Sequence, residues 1–180
     1  MGALDSIVRQ GKAIYVGLSN YRVPEMEKAV KILKGLGTPC LIHQPNYNMF
    51  ARWIEEGLQD LLEQEGIGSI GFSPLAQGLL TNKYLSGIPS DSRAAGHSVF
   101  LNSENITEDK VSKIRNLNEI AVGRDQTLAQ MAIAWILRGG RLTSALIGAS
   151  KVSQVEDCVG TLKNLEFSKD ELKKIEEILK

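Results

Sequence analysis

The chain has 180 residues, 43% of them apolar and 23% charged, and its 21 basic and 21 acidic side chains cancel to a formal net charge of zero. That length and balance fit one globular unit with a sizeable core, and with neither sign of charge gathered into a long run there is no electrostatic footprint for nucleic acid or an anionic membrane; a small molecule or another protein is the expected partner. Cys40 and Cys158 lie far apart, without a CxxC or a His-rich neighbourhood, which excludes a zinc site and a disulfide framework and leaves two reduced thiols.

The chain opens on "MGALDSIVRQGK", with Leu4, Ile7 and Val8 apolar and no capping signal before them, so it reads as the end of a helix behind an internal methionine. No basic segment leads into an apolar signal core, and no apolar run approaches the roughly 20 residues that span a bilayer. A cytoplasmic location is expected.

"AIYVGL" (13 to 18) is the first short apolar run and predicts a strand. A helix follows in which Met26, Ala29, Val30 and Leu33 recur at helical spacing, and Pro24 sits in the favoured first turn. "CLIHQ" (40 to 44) is the second strand; Ile54, Leu58, Leu61 and Leu62 then predict one amphipathic helix, and "IGSIGF" (67 to 72) is the third strand. Residues 81 to 105, "TNKYLSGIPSDSRAAGHSVFLNSEN", carry glycine, proline, serine and asparagine without periodicity and read as a long lid or binding loop. Two helices follow, the second marked by Leu128, Met131, Ala132, Trp135 and Ile136, then a fourth strand at "ALIGA" (145 to 149), a helix, and a last helix. Ser168 and Glu171 form a capping box for that last helix, ahead of Leu172, Ile175 and Leu179.

This order is that of repeated βα units around a parallel sheet, with four strands of the kind covered on both faces. Ligands of such sheets sit at the carboxyl ends of the strands. The four exits are "SNY" (19 to 21), "QPNYN" (44 to 48), "SPLAQG" (73 to 78) and "ASKVSQVED" (149 to 157), dominated by hydroxyls, amides and glycine. Amide and hydroxyl side chains can hold a carboxamide, and backbone N–H groups in a glycine-containing loop or at a helix start can hold phosphate, a pairing that suits a dinucleotide. Taken singly, "SN" before a helix is also a common N-cap and "SP" a common turn.

The blocks "GKAIYVGLSNY" (11 to 21), "HQPNYN" (43 to 48), "GIGSIGFSPLAQGLLTNKYLSGIPSDSR" (66 to 93) and "IGASKVSQVED" (147 to 157) together resemble the aldo-keto reductase family, (β/α)8 TIM-type barrels that reduce carbonyls with NADP(H). The resemblance runs over essentially the whole chain and is strongest to the branch of bacterial glyceraldehyde-phosphate reductases and potassium-channel β subunits. It implies that Ser19, Asn20 and Gln44 hold the nicotinamide carboxamide and that Phe72 stacks on the ring. It places Ser73, Leu75, Gln77 and Gly78 along the pyrophosphate, with Pro74 in the same loop and Lys83 reaching in. Arg93, Ser150 and Gln154 would grip the adenosine end, Gly148 and Asp157 completing the cofactor-binding set. An arginine suits the 2′-phosphate because its planar fork makes two parallel charge-assisted bonds, which favours NADP over NAD. Where relatives carry Glu and Asn after the glutamine this chain has Asp157 and Cys158, and a thiol offers no amide to the adenine.

A whole barrel needs eight βα units and about 250 residues, so the chain corresponds to the carboxyl-terminal half, a single partial domain over 1–180 with a cofactor-covering loop at 81–105. The family's catalytic tetrad of Asp, Tyr, Lys and His belongs to the other half, and no catalytic residue is assigned here. His43 lies in a strand and His97 in the loop; Tyr15, Tyr21, Tyr47 and Tyr84 lack a partner lysine and are expected to pack the site wall, Tyr21 bordering the substrate; Trp53 and Trp135 are expected to pack the core. The unpaired edges of a half barrel predict self-association, swapping or pairing with the missing half. Three functions stay open: the cofactor-holding half of a reductase of small aldehydes or ketones, catalytically incomplete alone; a module that senses the nucleotide; or a remnant without function.

Overall fold

In a computed structural model, which describes residues 1–85 and 106–180, four parallel strands stand in the order β1-β2-β3-β4: Val16–Ser19, Cys40–Gln44, Gly68–Phe72 and Ser144–Leu146. The helices are α1 (Gly2–Arg9), α2 (Val23–Leu36), α3 (Leu58–Glu65), α4 (Glu108–Gly123), α5 (Leu128–Leu137), α6 (Val152–Gly160) and α7 (Lys169–Leu179). Each strand follows its sequence predecessor to the neighbouring position, as βα units with crossover helices do. Register runs Gly17 to Ile42, Ile42 to Gly68 and Ile70 to Ser144. Most of the expected long loop, including Arg93 and His97, lies outside the described residues.

The periodic helices form where their apolar spacing places them. α2 buries Met26, Ala29, Val30 and Leu33, carries Pro24 in its first turn, and ends on Gly37 at φ +80°. α5 starts at a reciprocal capping box between Thr127 and Gln130 and is buried around most of its circumference, including Leu128, Met131, Ala132, Trp135 and Ile136. α7 starts at the expected Ser168–Glu171 box. α1 has no side-chain cap and is tied down further along: buried Asp5 accepts from Thr38 Oγ1 at 2.6 Å and from Arg9 Nε at 2.8 Å, while Arg9 Nη2 donates to the Leu36 carbonyl.

Three expectations are corrected. The helix read from Ile54 to Leu62 is broken: Gly57 at φ +88° separates a 3-10 turn at Trp53–Glu55 from α3, a conformation that glycine adopts without a Cβ clash. β1 starts only at Val16 and β4 stops at Leu146, leaving Ile14 and Tyr15 81% and 68% exposed and putting Ile147–Ala149 into the exit. The apolar runs are not covered on both faces either. Along β1, Val16 and Leu18 are buried against the helices while Gly17 and Ser19 are exposed, and Ser144 and Leu146 of β4 are exposed too. Among the described residues, four strands make an open sheet covered by helices on one face.

Candidate functional site

The exits of β1 and β2 are held to one another by directed hydrogen bonds. Ser19 Oγ donates to the Gln44 carbonyl at 2.7 Å, and the Asn20 N–H donates to that same carbonyl. Asn20 stands at φ +56°, a left-handed conformation that asparagine tolerates better than most, and its Oδ1 accepts the Asn46 N–H at 2.9 Å. The polarity is thereby assigned. Ser19 has given its hydroxyl hydrogen and keeps an acceptor oxygen, whereas Asn20 has used its oxygen and keeps the Nδ2 donors, a pair complementary to a primary carboxamide.

The exit of β3 is a tight polar turn. Phe72 bonds to this strand-end ladder through its N–H to the Pro45 carbonyl and its carbonyl to the Tyr47 N–H. Ser73, Ala76, Gln77 and Gly78 all have positive φ, an unusual concentration in six residues. Gln77 Nε2 donates to Ser73 Oγ, and Asn48 Nδ2 donates to the Ser73 carbonyl, which ties the turn to the β2 exit. At the β4 exit, Gln154 Oε1 accepts from the N–H groups of Ser150 and Lys151 at 2.8 and 3.2 Å, capping α6 from within and leaving the Gln154 NH₂ as donor.

Between the β3 turn and the start of α6 lies a cavity of about 740 Å³, within the range of small-molecule and cofactor sites. Ser73, Pro74, Leu75, Gln77, Gly78 and Lys83 line one side, and Gly148, Ser150, Gln154 and Asp157 the other. Ser19, Asn20, Gln44 and Phe72 stand at the neighbouring strand ends outside this cavity, and Arg93 lies outside the described residues. The donor set, with a helix N-terminus and a positive-φ turn facing one another, fits the phosphates and amide of a dinucleotide.

Asp157 serves another duty as well as lining the cavity. Its carboxylate accepts from Thr127 Oγ1 at 3.2 Å and from Gln130 Nε2 at 2.9 Å, anchoring α6 to the start of α5. Tyr84 lines the cavity, as expected of a wall residue, and so do Thr127, Ala129, Thr81 and Asn82, which sequence reasoning did not assign; the T-x-x-Q capping pattern at Thr127 was the available signal. Cys158 lines the same end, its thiol pushed up in pKa by burial and by Asp157, so it stays protonated and neutral.

Of the candidate acids, Tyr47, His43 and Tyr84 are withdrawn from solvent, whereas Tyr15 is exposed. Tyr47 is almost fully buried; its phenol donates to Glu55 Oε1 at 2.6 Å and accepts from Arg138 Nη1 at 3.0 Å, and burial pushes its pKa up to about 12. Tyr47 and Trp135 meet as a tilted ring pair at 5.8 Å in the core, where Trp135 was expected; Tyr47, expected at the site wall, does not line the cavity, and the Arg138 guanidinium lies 3.6 Å from the Trp135 ring centroid. His43 is fully buried and Tyr84 nearly so. No helix among the described residues is long and apolar enough to cross a membrane.

The sequence profile of the aldo/keto reductase family matches residues 1–180. The chain is 48% identical over 179 residues to the L-glyceraldehyde 3-phosphate reductase of Escherichia coli K12, covering 97% of this chain and 52% of that protein. It is 36% identical over 159 residues to a probable voltage-gated potassium channel subunit beta of Arabidopsis thaliana, covering 86% of this chain and 48% of that one. Among solved structures it matches the glycerol dehydrogenase of Gluconobacter oxydans with a TM-score of 0.76 and 25% identity, over 98% of this chain and 52% of the other. The chain thus spans about half the length of the relatives it matches, and its four strands are half of a (β/α)8 barrel. With a four-strand βα sheet, polar exits at the carboxyl ends and a family match from first residue to last, the chain belongs to the aldo/keto reductase family.

Proposed function

We propose that this chain is the cofactor-holding half of an NADP(H)-dependent oxidoreductase acting on the carbonyl of small aldehydes or ketones. The observation that carries the reading is the cavity between the β3 exit turn and α6, beside the assigned donor and acceptor pair of Asn20 and Ser19. Asn20 Nδ2 would donate to the carboxamide oxygen and Ser19 Oγ accept from its NH₂, with Gln44 beside them and Phe72 as the ring's platform. Ser73 to Gly78 and the α6 N-terminus would cradle the phosphates, with Lys83 supplying charge, Ser150 and the Gln154 NH₂ at the adenosine end, and Arg93 on the 2′-phosphate. When bound, NADPH supplies the hydride. The proton for the carbonyl oxygen needs a general acid, worth roughly 10²–10⁴-fold in rate; His43 and Tyr47 are buried away from the cavity, and Tyr84, which lines it, is almost fully buried. A complementary amino-terminal half is therefore the proposed partner, and the cytoplasm the proposed location.

Isothermal titration with NADPH and NADH, followed by aldehyde reduction with and without a polypeptide carrying the complementary four βα units, tests this. We expect preferential NADPH binding and turnover only in the mixture; refolded mixtures that bind no NADPH would overturn the reading. A second reading, a module that senses the nucleotide without turnover, is favoured by the burial of His43, Tyr47 and Tyr84. Submicromolar NADPH binding by the chain alone, unchanged when the complementary half is added and never followed by turnover, would select it.

A further inference from the structure

Two polar atoms on adjacent strands are buried without a partner among the described residues: Nδ1 of His43 and Oγ of Ser69. The two residues are in register, His43 on β2 opposite Ser69 on β3, so their side chains leave the sheet on the same face. It is the helix-covered face, since Leu18, the registered neighbour of His43 on β1, is buried there too. Orphaned buried polar atoms are rare in folded proteins, and two in register call for one explanation.

The other imidazole nitrogen is engaged. His43 Nε2 lies 3.1 Å from the Tyr21 nitrogen and accepts its N–H. A ring nitrogen that accepts carries no proton, so the imidazole is neutral with its hydrogen on Nδ1. Burial holds its pKa below the ordinary histidine value. Nδ1–H is then a donor and Ser69 Oγ can accept, and a water between them would satisfy both. Tyr21 directly follows Asn20, so β2 grips the β1 exit at three points: the Gln44 carbonyl, the Asn46 N–H and His43 Nε2. His43 alone of these reaches the exit from the core side.

We propose that His43 is a positioning residue. As the neutral Nδ1–H tautomer, bridged to Ser69 Oγ by one buried water, it holds the Tyr21 amide and thereby fixes the turn that presents Ser19 and Asn20. The consequence for cofactor binding rests on the reading of that turn given above; the tautomer and the clamp stand without it.

The test uses the full chain labelled with ¹⁵N. Imidazole ¹⁵N correlations should report the Nδ1–H tautomer of His43, and the Tyr21 amide should be protected from hydrogen exchange. His43→Leu removes the acceptor and should speed Tyr21 exchange and weaken NADPH binding, each by about tenfold, the worth of one hydrogen bond. His43→Gln sets an amide oxygen near the Nε2 position and should restore both to within about twofold of wild type. Ser69→Ala should speed exchange of the His43 Nδ1–H while Tyr21 stays protected. A charged or Nε2–H imidazole at neutral pH, or Tyr21 exchange indifferent to His43→Leu, overturns the clamp; should the leucine variant fail to fold, the wild-type tautomer and the glutamine variant decide alone. Tyr21 exchange that responds while NADPH affinity does not overturns the positioning role. A wild-type chain with a protected Tyr21 and no NADPH affinity sinks the reading of the site and leaves the clamp intact.

Discussion

Asn20 and Gln154 each commit their side-chain oxygen to backbone N–H groups and keep their NH₂ donors for a ligand. Asn20→Asp separates the two duties: the retained oxygen still accepts the Asn46 N–H and aspartate tolerates the left-handed backbone, but the donor is gone. We expect stability within about 0.5 kcal/mol of wild type and NADPH affinity lower by about tenfold or more, read by thermal melts and titration. Both residues were legible as amides at strand exits; which atom of Asn20 is left over was not, because that depends on the Asn46 N–H, twenty-six residues away at the β2 exit, whereas Gln154 is engaged by its own neighbours Ser150 and Lys151. Asp5 supports a pH prediction. The Thr38 hydroxyl, then Arg9, holds its carboxyl below the ordinary value of 3.8. A carboxylate whose folded pKa is depressed contributes stability that is complete above its unfolded pKa and is lost as pH falls through the folded one. The stability gap between wild type and Asp5→Asn should therefore be constant near neutrality and close at acid pH, as measured by denaturant titrations across the acid range; a gap that widens on acidification counts against the clamp.

Among the elements, α7 buries Ile175, pairs Glu176 with Arg52, and is held at its start by Arg124, whose side chain is 3% exposed at the end of α4. Its Nη1 donates to Glu171 at 2.8 Å, its Nη2 to the Glu166 carbonyl at 2.8 Å and its Nε to Gln126, while the guanidinium lies 3.8 Å from the Phe167 ring centroid. Arg124→Met keeps apolar volume but leaves a half-buried carboxylate and a carbonyl unpaired, and should cost about 3 kcal/mol, with α7 amides losing exchange protection first. Equal loss of protection in α2 and α7 would refute that local attachment. α2, α5 and α7 were legible from spacing and caps, since burial of one stripe and satisfaction of the first N–H groups are local requirements. The break at Gly57 was missed because Ile54 and Leu58 keep helical spacing across it, both being buried on the same side. The lengths of β1 and β4 were misjudged because a strand's extent depends on the neighbour's register as well as on its own apolar residues.

Among the described residues, one face of the sheet and the outer edges of β1 and β4 are unpartnered. Ile14, Tyr15, Leu41 and Leu146 are exposed on or beside the strands, and Val152, Val155, Val159 and Leu162 form an exposed stripe on α6 and the turn after it. Exposed apolar side chains at helical spacing on α6 and along the strands suit an interface. We expect the isolated chain to bind an apolar dye and to associate with rising concentration in sedimentation runs, and both signals to disappear on addition of the complementary half. Val152→Lys with Val159→Lys should reduce association without changing the far-ultraviolet spectrum. A dye-silent monomer at all concentrations would show that the open face is tolerated.

By itself the sequence determined the βα order, the apolar faces of the main helices, four exits rich in amides and hydroxyls, and the family, because periodicity, caps and motif spacing are written in residues close together along the chain. Only the tertiary structure decided that Asp157 anchors α6 to α5 while lining the cavity, that Tyr47 is closed off between Glu55 and Arg138, that one sheet face stays open, and that His43 stands behind the first exit beside Ser69. Each of those facts rests on which strand lies beside which and in what register, and a shift of one residue would turn every side chain of a strand to the other face.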